Sequence, residues 1–277
     1  NKNMNFLNKI LANQTDNFFV VKIQRKIMRI FSVYYVPTNN ERLPESKYTT
    51  NSHLGMTEQR LSYQEKIIEK FNNTNDLAYF NSCPKIAEIL KKLFIDENLK
   101  FNFLDFGGES IDFYLYLKKK FKNINYFVHN KKEINQDFIK LKEKYKFENI
   151  TIIKNLDEIS KNKYDFIFFG SVIQYMENYE EALSIATKVS KKYIFFSGTH
   201  FFSKNIIEKK KVIVRQVNFL PSKIYCYFFN INIFLEIFTS KKFIVVSKEK
   251  NIVGKVNYDN FGLSLGSITY TDLLLSL

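Results

Sequence analysis

The sequence predicts a doubly wound, Rossmann-like α/β fold with a helical N-terminal extension, and three observations lead to it. From residue 101 onward, short apolar segments alternate with amphipathic ones, as in a mostly parallel sheet covered by helices. Residues 164–169 form a continuous apolar run, which is typical of a strand buried on both faces. The 277 residues are 45% hydrophobic, including 29 Phe and 17 Tyr, which is enough for a large core. We therefore predict a helical extension over residues 1–98 and the sheet domain over residues 99–277.

Within the N-terminal extension, the sequence pattern predicts helices at residues 18–31, 57–71 and 84–94, with a loop over residues 37–54. The first of these helices is amphipathic. One face carries Lys22, Arg25, Lys26 and Arg29, and the opposite face carries Val20, Ile23, Ile27 and Ile30. The favoured expectation is that the apolar face packs on the sheet domain while the basic side chains are solvated. The alternative is an interfacial helix that rests on an anionic membrane surface.

In the second part of the chain, the sequence pattern predicts strands that alternate with helices. Strands are expected at residues 101–106, 124–129, 150–153, 164–169 and 193–197, with helices at 111–121, 131–145 and 177–189 between them. After a less regular stretch, we expect a helix at 227–238 and strands at 243–247 and 267–275. Right-handed crossovers place the carboxyl ends of parallel strands at one edge of the sheet. Four strand ends should therefore border one crevice: Phe106, His129, Phe169 and Ser197.

The charge of the chain argues against a specific nucleic-acid partner. The formal net charge is +14, but only five of the 42 basic residues are Arg. Sites that read nucleic-acid sequence favour Arg, whose planar guanidinium pairs bidentately with guanine or phosphate. No aromatic-basic RNA-binding motif is present. The abundance of Lys, Asn, Ile, Phe and Tyr is what an AT-rich genome supplies through its codons.

Metal and membrane-spanning classes are also disfavoured. Cys83 and Cys226 are far apart and lack the Cys/His spacing of a structural zinc site, so no metal is expected. No stretch of about 18 uncharged apolar residues is present, so we expect a soluble, cytoplasmic protein.

Small and polar residues lie at the ends of four of the predicted strands. The first strand ends at Gly107-Gly108, just after Asp105, and glycine there permits a positive φ and the close approach of a ligand. The second strand ends at His129-Asn130, about twenty residues further on, where a ribose is recognised in dinucleotide-binding folds. Ser171, Gln174 and Tyr175 follow the fourth strand, and Thr199 and His200 follow the fifth. Each turn alone is ordinary loop chemistry, but together they predict one binding crevice.

The order of these segments resembles the class I S-adenosylmethionine-dependent methyltransferases, and more narrowly those encoded among bacterial surface-polysaccharide genes. The segments are Leu-Asp-Phe-Gly-Gly at 104–108, Ser-Val-Ile-Gln-Tyr at 171–175, Gly-Thr-His-Phe at 198–201, Arg-Gln-Val at 215–217, and an aromatic helix at 225–229. The resemblance covers about residues 100–260. The chain departs from the family pattern at Glu109, where a further glycine is usual, and at Asn130, where an acidic residue is usual.

The resemblance implies S-adenosylmethionine as cofactor and O-methylation of a sugar or glycan-related small molecule. Cofactor binding would fall to Asp105, Gly107, Gly108, Asn130 and Ser171, and acceptor binding to Gln174 and Thr199. His200 would be the general base, with Tyr175 beside it. The enzyme would work in the cytoplasm, with a possible peripheral contact at the anionic inner face of the membrane. The alternative is a methyltransferase fold that has lost catalysis and docks an anionic partner.

Overall fold

The computed structural model describes residues 2–15, 17–47, 57–74, 84–94, 96, 98–203, 209–251 and 256–277. Residues 48–54 of the predicted 37–54 loop lie outside them. Within the described residues the strands are β1 Tyr35–Pro37, β2 Phe101–Phe106, β3 Ile124–His129, β4 Ile150–Ile153, β5 Tyr164–Gly170, β6 Ser190–Phe202, β7 Lys211–Gln216, β8 Ile224–Asn230, β9 Ile244–Lys250 and β10 Ile268–Ser276. The α-helices are α1 Lys2–Ala12, α2 Phe18–Phe31, α3 Thr57–Thr74, α4 Pro84–Leu93, α5 Ile111–Lys120, α6 Lys132–Tyr145, α7 Leu156–Ile159, α8 Tyr179–Val189 and α9 Ile231–Thr239.

Five parallel strands in the order β4-β3-β2-β5-β6 form the centre of the sheet. Helices α3 to α6 pack on one face and helices α7 to α9 on the other, each over its own hydrophobic core. The predicted Rossmann-like, mostly parallel α/β fold is therefore confirmed.

The predicted strand ends do lie along one edge. Phe106 is paired with His129 on one side and with Phe169 on the other, and Gly170 is paired with Ser197. The turns that follow β2, β3 and β5 therefore meet at the carboxyl edge of the sheet. β10 lies antiparallel beside β6, and β9 lies antiparallel beside β10.

The fifth predicted strand was too short, and this changes the crevice. β6 continues beyond Ser197 to Phe202, past the end of β5. Its last residues are hydrogen-bonded to β10 on one side and to β8 on the other, with Phe201 opposite Phe229. β8 therefore takes the place beside β6 that β5 has left, and β7 and β1 extend the sheet from there.

The predicted helix over residues 227–238 is wrong in its first part. Tyr225 to Phe229 belong to β8, because this aromatic segment pairs residue by residue with β7. The helix α9 begins only after Asn230, whose side chain accepts a hydrogen bond from the backbone N–H of Asn232 and so caps it. β7 itself lies in the stretch that the sequence predicted to be irregular.

Helix α2 has the predicted bounds, but its predicted packing face is only partly buried: Ile27 packs against an apolar cluster, whereas other residues of the face turn outward. Val21, Gln24 and Met28 are buried, while Ile23 and Ile30 are exposed. The rotation is set by hydrogen bonds, because Gln24 donates to the carbonyl oxygens of Ile10 and Asn13, both at 2.8 Å. No helix within the described residues is both long enough and apolar enough to cross a membrane.

Candidate active site at the carboxyl edge of the sheet

The glycine turn after β2 is held between two neighbouring strand ends. Gly107 has a φ of +78°, which favours glycine, and its N–H donates to the carbonyl oxygen of His129 at 2.7 Å. A Cβ atom at Gly107 would lie 2.4 Å from Cγ2 of Val172, in the turn after β5. The absence of a side chain at residue 107 therefore lets the turns after β2 and β5 pack against each other.

The carboxyl group of Asp105 packs against the backbone of this glycine turn. Its carboxyl group is buried and accepts a hydrogen bond from the hydroxyl of Tyr126 at 2.5 Å. Burial raises the pKa of Asp105 to about 7, although the hydrogen bond from Tyr126 acts in the opposite direction. A Cβ atom at Gly108 would lie 2.5 Å from Oδ2 of Asp105, so the backbone of the turn rests directly on the carboxyl group.

Asn130 joins the end of β3 to the glycine turn. Its side-chain Nδ2 donates to the carbonyl oxygen of Gly108 at 2.9 Å, and its Oδ1 accepts from the N–H of Lys131 at 2.7 Å. The structure thus brings Asp105, Gly107, Gly108 and Asn130 together. Of the four, Gly107 and Asn130 are half-buried, and the amide of Asn130 can hydrogen-bond a hydroxyl group.

Gln64 of α3 is a site residue that the sequence did not reveal. Its Oε1 accepts from the N–H of Ile111 at 2.8 Å, and its Nε2 donates to the carbonyl oxygen of Glu109 at 3.2 Å. The N-terminal extension therefore holds the loop that continues from the glycine turn into α5. A glutamine on an amphipathic helix carries no signal of such a contact.

Ser171 follows β5 and belongs to a polar network with the last strand. Its N–H donates to the carbonyl oxygen of Ser197 at 2.8 Å, and its Oγ lies 3.0 Å from the hydroxyl oxygen of Tyr270. Asp272 accepts hydrogen bonds from the Ser197 hydroxyl at 3.0 Å and from the Gly198 N–H at 2.9 Å. The sequence analysis missed Tyr270 and Asp272. The sequence feature that could have revealed them is the group of polar residues in the otherwise apolar last strand, β10.

Gln174 and Tyr175 bind two different neighbours. Nε2 of Gln174 donates to the carbonyl oxygen of Gly198 at 3.0 Å, and its buried Oε1 has no partner in the described part of the chain. The hydroxyl of Tyr175 donates to Oε1 of Gln216 at 2.7 Å. Tyr175 is half-buried, so it lies between the interior and the open edge.

His200 lies inside β6, not at its end, so its predicted position after the strand is wrong. It is 2% exposed, its ring stacks on Phe228 at 4.5 Å between centroids, and the ring of Tyr35 is 4.6 Å away. Burial lowers the pKa of His200 to about 3, so its ring is neutral at neutral pH. Its Nδ1 has no partner among the described residues.

Thr199 and His200 do not serve one pocket. They are successive residues of a strand, so their side chains point to opposite faces of the sheet. Thr199 is fully buried, and its hydroxyl also lacks a partner within the residues described. The predicted acceptor-binding and catalytic residues of the fifth strand are therefore separated by the sheet itself.

No protein-family model matches the sequence, and a search of curated proteins finds no match. Several solved structures are similar in fold. An S-adenosylmethionine-dependent methyltransferase from Clostridium acetobutylicum ATCC 824 is 13% identical with a TM-score of 0.43, covering 70% of this chain and 98% of that one. Burkholderia thailandensis 1,6-didemethyltoxoflavin-N1-methyltransferase, with bound 1,6-didemethyltoxoflavin and S-adenosylhomocysteine, is 11% identical with a TM-score of 0.46, covering 87% and 94%.

The N-terminal domain of EvdMO1, in the presence of SAH and D-fucose, is 11% identical with a TM-score of 0.47, covering 69% of this chain and 79% of that one. At such identities and TM-scores, these similarities do not assign a ligand or an activity to this chain. Its fold is defined by its own strand order.

Proposed function

We propose that this chain is an S-adenosylmethionine-dependent methyltransferase. The observation that carries the proposal is the meeting of two motifs at one edge of the sheet. The glycine turn of the 104–108 segment packs against Val172 of the 171–175 segment, with Gly107 at the point of contact. The ligand crevice of a doubly wound sheet lies at this edge, outside the carboxyl ends of the strands.

The residues present fit the proposed cofactor. Gly107 is half-buried at the crevice edge, where the amino-acid part of S-adenosylmethionine would bind, with Gly108 held behind it against Asp105, and Asn130 stands where a ribose would be recognised. A neutral amide forms a weaker hydrogen bond than a carboxylate. The bonds of Asn130 to Gly108 and Lys131 use one hydrogen of Nδ2 and one lone pair of Oδ1, so one of each remains for a ribose hydroxyl. When bound, the cofactor supplies an already activated methyl group, so the protein has mainly to position the acceptor.

A polar acceptor suits the far side of the crevice. Oε1 of Gln174 can only accept hydrogen bonds, and it has no protein partner in the described structure. This supports a hydroxyl-bearing acceptor, and we propose a sugar or glycan-related small molecule. Because its pKa is about 3, His200 is a poor proton acceptor near neutrality. We therefore assign it a positioning role, as a neutral hydrogen-bonding group.

Cofactor binding is the first test, measured by titration calorimetry with S-adenosylhomocysteine. We expect binding by the full chain and a loss of affinity of about tenfold in Asn130→Ala, the equivalent of one hydrogen bond. Asn123→Ala is the matched control, because Asn123 precedes the other end of β3 and also donates its Nδ2 to a backbone carbonyl oxygen, that of Asn98, at 2.8 Å. An equal loss in both variants, or no binding by the wild type, contradicts the proposal.

Gly107→Val is not a useful probe of the cofactor. Its Cβ would meet Val172 whether or not a ligand is present, so the change would disturb the turn itself.

The acceptor is tested separately, by following methyl transfer with a labelled methyl group and a panel of sugars. Transfer to none of them, with cofactor bound, would contradict the sugar acceptor alone.

A second candidate function is a methyltransferase fold that has lost catalysis and docks an anionic partner. The neutral amide of Asn130, at the position where the family pattern has an acidic residue, is the observation that favours it. This candidate predicts no heat with S-adenosylhomocysteine, together with salt-sensitive binding of an anionic polymer.

A further inference from the structure

Helix α2 exposes an apolar stripe on its outer face. Phe19 is 68% exposed, Ile23 43% and Ile30 65%. At 100° per residue, these three positions fall within about 40° of one another around the helix. Single exposed apolar residues are ordinary on a protein surface, but these three lie along one side of the same helix.

The stripe is held outward by the packing of the opposite side of α2. Val21 and Met28 are buried in a small apolar cluster, and Gln24 binds the carbonyl oxygens at the end of α1. Arg25 donates from Nε, at 3.1 Å, and from Nη2, at 2.5 Å, to the carbonyl oxygen of Leu220. The helix is capped at its start by Asn17. Burying the apolar stripe within this chain would require α2 to rotate and to lose the contacts that its opposite side makes with the buried cluster, with α1 and with Leu220.

A basic stripe runs beside the apolar one. Lys22, Lys26 and Arg29 are exposed and follow a spacing of i, i+4 and i+7, which places them on one side of the helix. The helix contains no acidic residue. Its 14 residues span about 21 Å, long enough to lie along a surface with both stripes in contact.

We propose that α2 lies on an anionic lipid bilayer, with the apolar stripe in the headgroup boundary and the basic stripe against the lipid phosphates. This is the chemistry of an interfacial amphipathic helix. Charge disfavours a second copy of this chain in antiparallel contact, because that two-fold interface would place the basic stripe against its own copy. The inference concerns where the protein resides and does not depend on the proposed reaction.

The test is co-sedimentation of the full chain with vesicles of phosphatidylcholine alone or with 30% phosphatidylglycerol. We expect binding only to the anionic vesicles and a decrease in 0.5 M NaCl. The triple variant Lys22→Gln, Lys26→Gln, Arg29→Gln should bind about fivefold more weakly for each basic residue removed, roughly a hundredfold in total. The triple variant Phe19→Ser, Ile23→Ser, Ile30→Ser should lose binding at unchanged charge.

The matched control is Lys241→Gln, Lys248→Gln, Lys250→Gln, which removes the same charge from exposed positions around β9. It should keep most of the binding. Equal losses in the control and the basic-stripe variant would show a nonspecific effect of net charge and overturn the proposal. Binding to neutral vesicles as strong as to anionic ones, no binding at all, or a dimer in light scattering that the serine variant abolishes would also overturn it.

Discussion

Asp105 links the protonation of the candidate site to the stability of the fold. Its pKa of about 7 exceeds the ordinary value of 3.8, because burial disfavours the carboxylate. Between about pH 4 and pH 7 the folded chain therefore binds a proton that the unfolded chain has released. The contribution of Asp105 to stability is complete below pH 4 and is lost as the pH rises through 7.

We predict that Asp105→Asn weakens this pH dependence. Asparagine has nearly the same shape and can still accept the hydrogen bond from Tyr126, but it has no charge to bury. The free energy of unfolding in urea, measured from pH 4 to pH 8, should fall more steeply with pH in the wild type than in the variant. Parallel curves for the two proteins would contradict the assignment.

His200 should show the opposite dependence. Its pKa of about 3 lies below the ordinary 6.5, so between these values the unfolded chain binds a proton that the folded chain does not. The contribution of His200 to stability is therefore lost as the pH falls through this window. We predict that the ring signals of His200 in an NMR titration stay unchanged from pH 8 to pH 5. A midpoint near 6.5 would show that the ring is hydrated.

Among the structural elements, α3 has the clearest link to the candidate site. We predict that Gln64→Ala destabilises the chain by about 1–3 kcal/mol, because the buried N–H of Ile111 loses its partner. Hydrogen exchange at Ile111 should accelerate. Gln59→Ala is the control, since Gln59 is exposed on the same helix. Similar effects of both substitutions would indicate a general weakening of α3 and not the loss of this contact.

The sequence predicts most accurately the strands that are buried along most of their length. β2 and β3 have the predicted bounds, because most of their residues are apolar and buried and each strand ends where its turn begins. The aromatic segment of β8 was assigned to a helix, because short apolar runs fit both periodicities. The three-residue strand β1 is too short to leave a pattern.

The side chains of the site were predicted less well than its location. The glycine turn and Asn130 were found because strand ends are visible in the sequence. The burial of His200 was not, because it depends on rings that come from distant segments: Tyr35, Phe228 and Tyr270. The face on which α2 packs was likewise decided by hydrogen bonds of Gln24 and Arg25, which hydrophobic periodicity does not contain.

At the scale of the whole molecule, the N-terminal extension and the sheet domain are joined by specific contacts. β1 is hydrogen-bonded to β7, and Arg215 of β7 donates to the carbonyl oxygen of Ala12 at 2.9 Å. Arg60 of α3 binds the carboxylate of Asp137 in α6 at 2.6 Å, and both side chains are buried. Buried ion pairs of this kind are costly to break singly.

We therefore predict that the chain unfolds in one cooperative transition. Far-ultraviolet circular dichroism and tyrosine fluorescence should give coincident urea curves. Asp137→Asn should shift both curves to lower urea without separating them. An early transition that removes helical signal alone would show that residues 1–98 unfold independently.

The extension of β6 beyond β5 has a consequence for how this molecule can change during evolution. In many enzymes the acceptor side of a site is bordered by loops, which tolerate insertions and deletions. In this chain, the side that we propose for the acceptor is bordered by a paired strand, β6 between β10 and β8. Inserting one residue into that strand would turn every following side chain to the other face. We expect descendants of this chain to alter their acceptor by exchanging side chains along β6 and β8 while the length of both strands stays constant.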